Sequence, residues 1–222
     1  MKNFKLLLDD KLINLEAKIE NIYICGYTSS DQQALQDHID ELKKIGVTPP
    51  DKTPMLYKKA NLSPAVNTGI RVISDDTSGE VEYYLLLQND KIYLGLASDH
   101  TDRGIEKHDV EKSKQVCPVV LSDVVWDYSE IKEWKSLTLK SWAAQGNENI
   151  LYQEASLEIF MKPEEIIDFV KEEIQSDVNN SIILCGTPPL IPDQIIYTNK
   201  FYCELSNSSG RKISLEYEIT RI

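Results

Sequence analysis

Three acidic side chains between residues 80 and 99 fall at spacings that bring carboxylates together. Glu80-Val-Glu82 places two of them two residues apart, so on a strand both point to one side. The segment runs from Glu80 through Val-Glu-Tyr-Tyr-Leu-Leu-Leu to Gln-Asn-Asp, then from Lys91 through Ile-Tyr-Leu-Gly-Leu-Ala-Ser to Asp99. This is the pattern of two strands joined by a tight Asn89-Asp90 turn. If Gln88 stands opposite Lys91, Glu82 falls opposite Ala97 and Glu80 opposite Asp99, and directly opposed residues share a face. Carboxylates so crowded repel one another unless a cation lies between them or one takes a proton. Hard divalent ions that prefer oxygen, Mg²⁺ or Mn²⁺ first and Ca²⁺ next, suit such a set of Glu80, Glu82 and Asp99. A solvated strand edge in an acidic chain explains the same spacing, and a one-residue slip in register would separate Asp99 from the pair.

Other residues able to do chemistry are spread along the chain. His38 and Glu41 stand three apart on a helical pattern, where such positions are neighbours, and a carboxylate can orient an imidazole as a base. Taken alone, this is also the pattern of a surface histidine with a helical charge partner. The polar run Ser98-Asp-His-Thr-Asp-Arg103 follows a buried strand, and Cys185-Gly186-Thr187-Pro188 follows the apolar Ile182-Ile-Leu. Sites are commonly built at strand ends, and a Gly-Thr turn can offer N–H groups and a hydroxyl to an anion. Lys112 and Lys114 flank Ser113 just before Cys117-Pro118.

The elements that must position these residues are mostly strands. Residues 3–8 and 12–16 read as a strand pair, 21–26 as a buried strand, and 136–143, 149–161 and 211–220 as further strands. Ser30 and Gln33 have the spacing of a capping box for a helix with Leu35, Ile39 and Leu42 on its apolar stripe and Gly46 at its end. Residues 163–175 form an amphipathic helix with a proline in its first turn. Strands outnumber helices without alternating with them, so the class is a β-rich α+β fold.

Composition bounds the rest. The 222 residues are 41% apolar and 27% charged, with 36 acidic against 24 basic side chains and a formal charge of -12. No dense Lys/Arg run appears, so no nucleic-acid partner is expected. The four cysteines have no metal-cage or disulfide spacing, and neither a signal segment nor a membrane-spanning run is read. The expectation is a cytoplasmic protein with reduced thiols.

In chain order these motifs resemble the fumarylacetoacetate hydrolase family, from about residue 21 to the end, in a divergent bacterial branch. His38-Ile-Asp-Glu41 is similar to the family's His-x-x-Glu, Pro54-Met-Leu-Tyr57-Lys58 to its aromatic-Lys step, and Glu80-Val-Glu82 to its Glu-x-Glu metal motif. Ser98-Asp99-His-Thr101-Asp-Arg103 resembles Asn-Asp-x-Ser-x-Arg, with serine where the family has asparagine. Lys112-Ser113…Cys117-Pro118, Gln145-Gly146-Asn147…Gln153 and Gly186-Thr187-Pro188 are similar to three further steps. The resemblance implies a mixed β-sandwich roll, one catalytic domain over 1–222 with a short strand extension at 1–20, and a homodimer. It implies a metal on Glu80, Glu82 and Asp99, His38 and Glu41 as a water-activating dyad, and Lys112 or Lys114 as the functional lysine. Tyr57, Lys58, Arg103, Gly186 and Thr187 are implied to hold substrate. The implied activity is C–C hydrolysis of a small 2-oxo or 2,4-dioxo acid, with an oxaloacetate-type decarboxylase or tautomerase, or a non-catalytic binding module, as alternatives.

Overall fold

The computed structural model describes residues 1–31, 33, 35, 36, 39, 40, 43 and 49–222. Two short hairpin turns set the register of the strands that matter most. Asp9 and Asp10 (φ 46° and 59°) join β1 (Lys2–Leu8) to β2 (Lys11–Ala17), and Asn89 and Asp90 (φ 53° and 59°) join β8 (Val81–Gln88) to β9 (Lys91–Asp99). Asn and Asp tolerate this left-handed backbone better than other non-glycine residues, and two such residues in a row match the twist of a hairpin. The second turn pairs Gln88 with Lys91 and Glu82 with Ala97, as its sequence predicts.

The larger sheet, of nine strands, runs β2-β1-β11-β9-β8-β14-β3-β4, with β5 (Ala65–Val66) also on β11. Here β3 is Asn21–Gly26, β4 Met55–Lys58, β11 Val119–Asp127 and β14 Ser181–Leu184. Pairing is mixed: β1 on β11 and β14 on β3 are parallel, and β8 on β9 is antiparallel. A five-stranded sheet, β13-β12-β15-β16-β6, packs against one face of the larger one. Its strands are β6 (Ile70–Val72), β12 (Thr138–Gln145), β13 (Glu148–Ser156), β15 (Lys200–Ser206) and β16 (Lys212–Arg221). β16 alternates strictly from Lys212 to Glu218, with Ile213, Leu215 and Tyr217 buried between exposed residues, as a sheet with one wet face requires. The expected β-rich sandwich roll is therefore the fold.

β8 is buried on both faces. Val81, Tyr83, Leu85 and Leu87 enter the core between the sheets, joined by Ile166, Ile167 and Val170 of the helix Pro163–Ile174. Tyr84 and Leu86, on the opposite face of β8, enter a second core with Phe4, Ile24, Val125 and Leu184. Each fully buried apolar side chain of this size contributes about 1.5–3 kcal/mol. The sum over β8 offsets the cost of holding an acid in its midst, since burying an unpaired carboxylate is strongly unfavourable.

Several local expectations are corrected. Asp31, rather than Ser30, begins the first helical segment: its carboxylate accepts the Gln33 N–H at 2.8 Å, while Ser30 Oγ donates to the Glu158 carbonyl. Leu35 is buried there, and Leu42 and Gly46 lie outside the described residues. The strand read over 149–161 stops at Ser156, where a single 3₁₀ turn over Leu157–Ile159 takes over.

Candidate metal centre

The site lies where β8 and β9 meet the chain that follows them. Glu82 is on β8, Asp99 ends β9, and Glu80 directly precedes β8. The Asp99 N–H donates to the Glu80 carbonyl at 3.0 Å, extending the hairpin by one step and setting the two side chains side by side. Ligand oxygens of Glu80, Glu82 and Asp99 all lie within 4.8 Å of one another. Asp99 is wholly buried and Glu82 is 2% exposed, so solvent screens their repulsion poorly. Ser98 accepts the Glu80 N–H at 3.2 Å and meets the Tyr217 hydroxyl at 2.9 Å. It thereby ties the acidic strand to β16 of the small sheet.

Two buried cations complete the cluster. Thr101 and Asp102 form β10, which runs into the one-turn helix α1 (Arg103–Glu106) and then α2 (Val110–Val116). Arg103 donates from Nε to Ser78 Oγ (2.7 Å) and from Nη1 to Glu80 Oε1 (3.1 Å) and Glu106 Oε2 (2.8 Å). Lys114, on α2, places Nζ 2.8 Å from Glu80 Oε2, 2.7 Å from Asp99 Oδ2 and 3.1 Å from Thr101 Oγ1. The Asp99 contact is an ion pair out of line for a hydrogen bond, and neither Asp99 oxygen has a hydrogen-bond partner among the described residues.

The electrostatics differ from one carboxylate to the next. Burial opposes ionisation of Glu80, but Arg103 and Lys114 outweigh it and hold its carboxyl down at about 2. Burial pushes Glu82 well above the usual carboxylate range, the Asp99 and Glu80 charges add to the shift, and Lys114 and the Gly186 N–H oppose it. Burial likewise raises Asp99, with Lys114 partly offsetting it. Burial disfavours the Lys114 ammonium, yet Asp99 and Glu80 keep it firmly charged. Three carboxylates thus share two cations, with an excess of hard oxygen donors and an Asp99 carboxylate that takes no hydrogen bond among the described residues. That donor set fits a divalent ion of the Mg²⁺ or Mn²⁺ kind, with Glu80, Glu82 and Asp99 as its holders.

A glycine turn approaches from the other side. The Gly186 N–H donates to Glu82 Oε2 at 2.7 Å. Gly186 has φ 110°, and a Cβ there would stand 2.2 Å from Thr28 Oγ1, so both backbone conformation and space demand glycine. Thr187 follows, half-buried, its Oγ1 held by Gln153 Nε2 at 2.7 Å.

The sequence candidates therefore separate. Glu80, Glu82, Asp99, Arg103 and Lys114 meet in one cluster, Gly186 touches it, and Thr187 adjoins it. Tyr57 is buried on β4, and burial pushes its hydroxyl up. Lys58, the next residue on that strand, is exposed on the opposite side. Lys112 is exposed and pairs with Asp109 at 2.6 Å, so of the two candidate lysines only Lys114 reaches the carboxylates. His38 and Glu41 lie outside the described residues. Sequence reasoning passed over Lys59, which is 6% exposed and donates from Nζ to the carbonyls of Lys114 and Cys117 (2.5 Å to the latter) at the end of α2. Strand alternation was the available signal, since the second lysine of Lys58-Lys59 returns to the face of Tyr57.

Comparison with known proteins bears on the fold. A 2-keto-3-deoxyarabinonate dehydratase superposes with a TM-score of 0.70 at 16% identity, over 92% of this chain and 75% of that one. The 2-keto-3-deoxy-D-arabinonate dehydratase complexed with magnesium and 2,5-dioxopentanoate gives 0.66 at 16% identity, over 92% and 74%. A yeast fumarylacetoacetate hydrolase family protein gives 0.61 at 16%, over 91% and 94%. These likenesses show the fold that the motif order implies. The search of curated proteins finds no match. Residues 25–217 match the family described as protein of unknown function (DUF2848), and the chain belongs to that family, on a fumarylacetoacetate hydrolase fold.

Proposed function

We propose that this protein is a divalent-metal-dependent enzyme that cleaves a C–C bond in a small 2-oxo or 2,4-dioxo acid of the acylpyruvate kind. The observation that carries the reading is the triad of Glu80, Glu82 and Asp99, the last two buried, with the Lys114 ammonium beside it. When bound, the ion supplies Lewis-acid polarisation of the acid's oxygens. The chain's own residues do the rest. Lys114 offers a fixed positive charge to the substrate carboxylate or to negative charge that develops in the reaction, in a site where burial strengthens it. Arg103, fully engaged with Ser78, Glu80 and Glu106, acts through Glu80 by holding that carboxylate ionised and in place. The Gly186-Thr187 turn faces the remaining side. His38, oriented by Glu41, takes a proton from the attacking water; this assignment comes from the motif order. The neighbour complexed with magnesium and 2,5-dioxopentanoate supports this choice of ion and substrate class. A second reading, a lyase that uses the same electron sink without a water attack, is supported by that neighbour being a dehydratase.

His38→Ala separates the two. Hydrolysis needs a positioned base, worth about 10²–10⁴ in rate, whereas decarboxylation needs none. The variant is expected to lose acylpyruvate hydrolysis by a factor in that range, to retain Mn²⁺ binding in calorimetry, and to lose more than Glu41→Gln. Wild-type hydrolysis by His38→Ala would show that the dyad is not catalytic, whereas a wild-type protein that decarboxylates oxaloacetate and leaves acylpyruvates intact would replace the hydrolase reading with the lyase one. The proposed assembly is a symmetric homodimer, the commonest oligomeric form. The exposed Leu12 and Ile13 of the edge strand β2 offer apolar surface for one. Light scattering should return twice the 25.3 kDa chain mass, and a monomer at micromolar concentration would count against it. No described helix is long and apolar enough to cross a membrane, and a cytoplasmic enzyme is the reading we propose.

A further inference from the structure

We infer that Gln153 is a positioning residue that fixes the direction of hydrogen bonding in the Gly186-Thr187-Pro188 turn, so that Thr187 presents its hydroxyl proton to an acceptor oxygen of the bound acid. This rests on the metal-site reading above and adds to it the residue that sets the polarity of the anion subsite.

Gln153 is fully buried on β13, yet all its polar atoms are engaged. Its Oε1 accepts the Val81 N–H at 3.0 Å and the Ser141 hydroxyl at 3.0 Å. Its Nε2 donates to Thr187 Oγ1 and to the Pro188 carbonyl, both at 2.7 Å. The orientation of a side-chain amide is normally ambiguous. Here a backbone N–H, which only donates, meets one end, and a carbonyl, which only accepts, meets the other. The oxygen must therefore face Val81 and the nitrogen must face the turn. Both Nε2 protons are then committed, and Thr187 Oγ1 is an acceptor toward Gln153. A hydroxyl has one proton, and that of Thr187 is left for another partner.

The Gly186 N–H is taken by Glu82 Oε2, and the Pro188 carbonyl by Gln153. Thr187 is the turn residue with a proton to give and is partly open to solvent. A group docking there is met by a donor, as a carboxylate or keto oxygen requires and an ammonium does not. The same glutamine grips the amide between Glu80 and Glu82, so it also sets the distance between the metal strand and the turn.

The test uses Mn²⁺ and oxalate as probes, on wild type, Gln153→Met, Thr187→Val, Thr187→Ser and the Gln153→Met/Thr187→Val double variant. Mn²⁺ binding is read by electron paramagnetic resonance, and oxalate binding to the Mn²⁺-loaded protein by calorimetry. A hydrogen bond to a charged partner is worth about a 10- to 100-fold change in affinity. Thr187→Val and Gln153→Met are each expected to weaken oxalate by at least about tenfold, within that range. The double variant should bind no more weakly than the worse single one, because both substitutions act through the same Thr187 hydroxyl, and Thr187→Ser should bind as wild type does. Additive losses in the double variant overturn the inference, as does wild-type oxalate affinity in Thr187→Val; the latter decides even if Gln153→Met fails to fold. Wild-type protein that binds no Mn²⁺ overturns the metal reading and this inference together, whereas intact Mn²⁺ binding with additive losses overturns this one alone.

Discussion

Glu82→Gln is expected to abolish Mn²⁺ binding and, at the same time, to raise the melting temperature of the metal-free protein. Glu82 is buried beside Asp99, and burial first, then the Asp99 charge, raises its carboxyl well above the usual range. A carboxyl raised on folding binds its proton more tightly in the native state than in the unfolded chain. Its ionisation therefore costs stability, and the cost appears as pH rises above the ordinary carboxylate range. Glutamine removes that cost at neutral pH and keeps an oxygen for the Gly186 N–H, which now donates to Glu82 Oε2 at 2.7 Å. Exchanges that relieve a strained functional site commonly gain about 0.5–2 kcal/mol. In a chain of this size each kcal/mol is worth roughly 2–4 °C. In wild type, Mn²⁺ at a hundred times its dissociation constant should add about 2.7 kcal/mol of stability, and the variant should show none of that increment. Scanning calorimetry with chelator and with Mn²⁺ reads both effects. A variant that keeps the metal-dependent rise would remove Glu82 from the ligand set.

Lys114→Met should behave in the opposite way. In the metal-free protein the Lys114 ammonium is the partner of Asp99 and one of two cations on Glu80. Removing one member of a buried ion pair costs about 3–5 kcal/mol, because the remaining charge is left unpaired. The metal-free variant is thus expected to melt well below wild type. A divalent ion can supply the missing positive charge and no longer competes with a lysine, so Mn²⁺ affinity should hold or tighten, and Mn²⁺ should restore much of the lost stability. Oxalate affinity of the loaded protein should fall by about 10- to 100-fold or more, since a charge-assisted contact is lost, and turnover should go with it. Lys112→Met is the internal control: exposed and paired with Asp109 on its own helix, it should leave the melting temperature and oxalate affinity close to wild type. Equal effects of the two substitutions, or a Lys114→Met protein that binds oxalate like wild type, would sink the assignment of Lys114.

The sequence determined a good deal of this protein, wherever the deciding forces are local. The Asn89-Asp90 turn admits one register, and that register places Glu82 opposite Ala97 and brings Asp99 up to Glu80. The same logic read the first hairpin and the helix over 163–175, which ends one residue earlier at Ile174, each specified by its own turn or cap residues. Motif order carried the fold. The strands over 119–127 and 200–206 escaped this reading. The first is an almost continuous apolar run, buried on both faces, so it lacks the alternation that marks a strand.

Tertiary structure alone decided which side chains share the site. Lys112 and Lys114 are two residues apart on one helix, about 200° around its axis, so no local rule says which of them faces inward. Packing of α2 beside β10 and β4 turns Lys114 to the carboxylates and leaves Lys112 in water. Gln153 lies 72 residues from the Val81 amide it holds and 34 from Thr187. Whether three acids form a solvated edge or a buried cation site depends on what covers them. That cover comes from segments remote in sequence, and burial is what turns like charges in proximity into a candidate cation site.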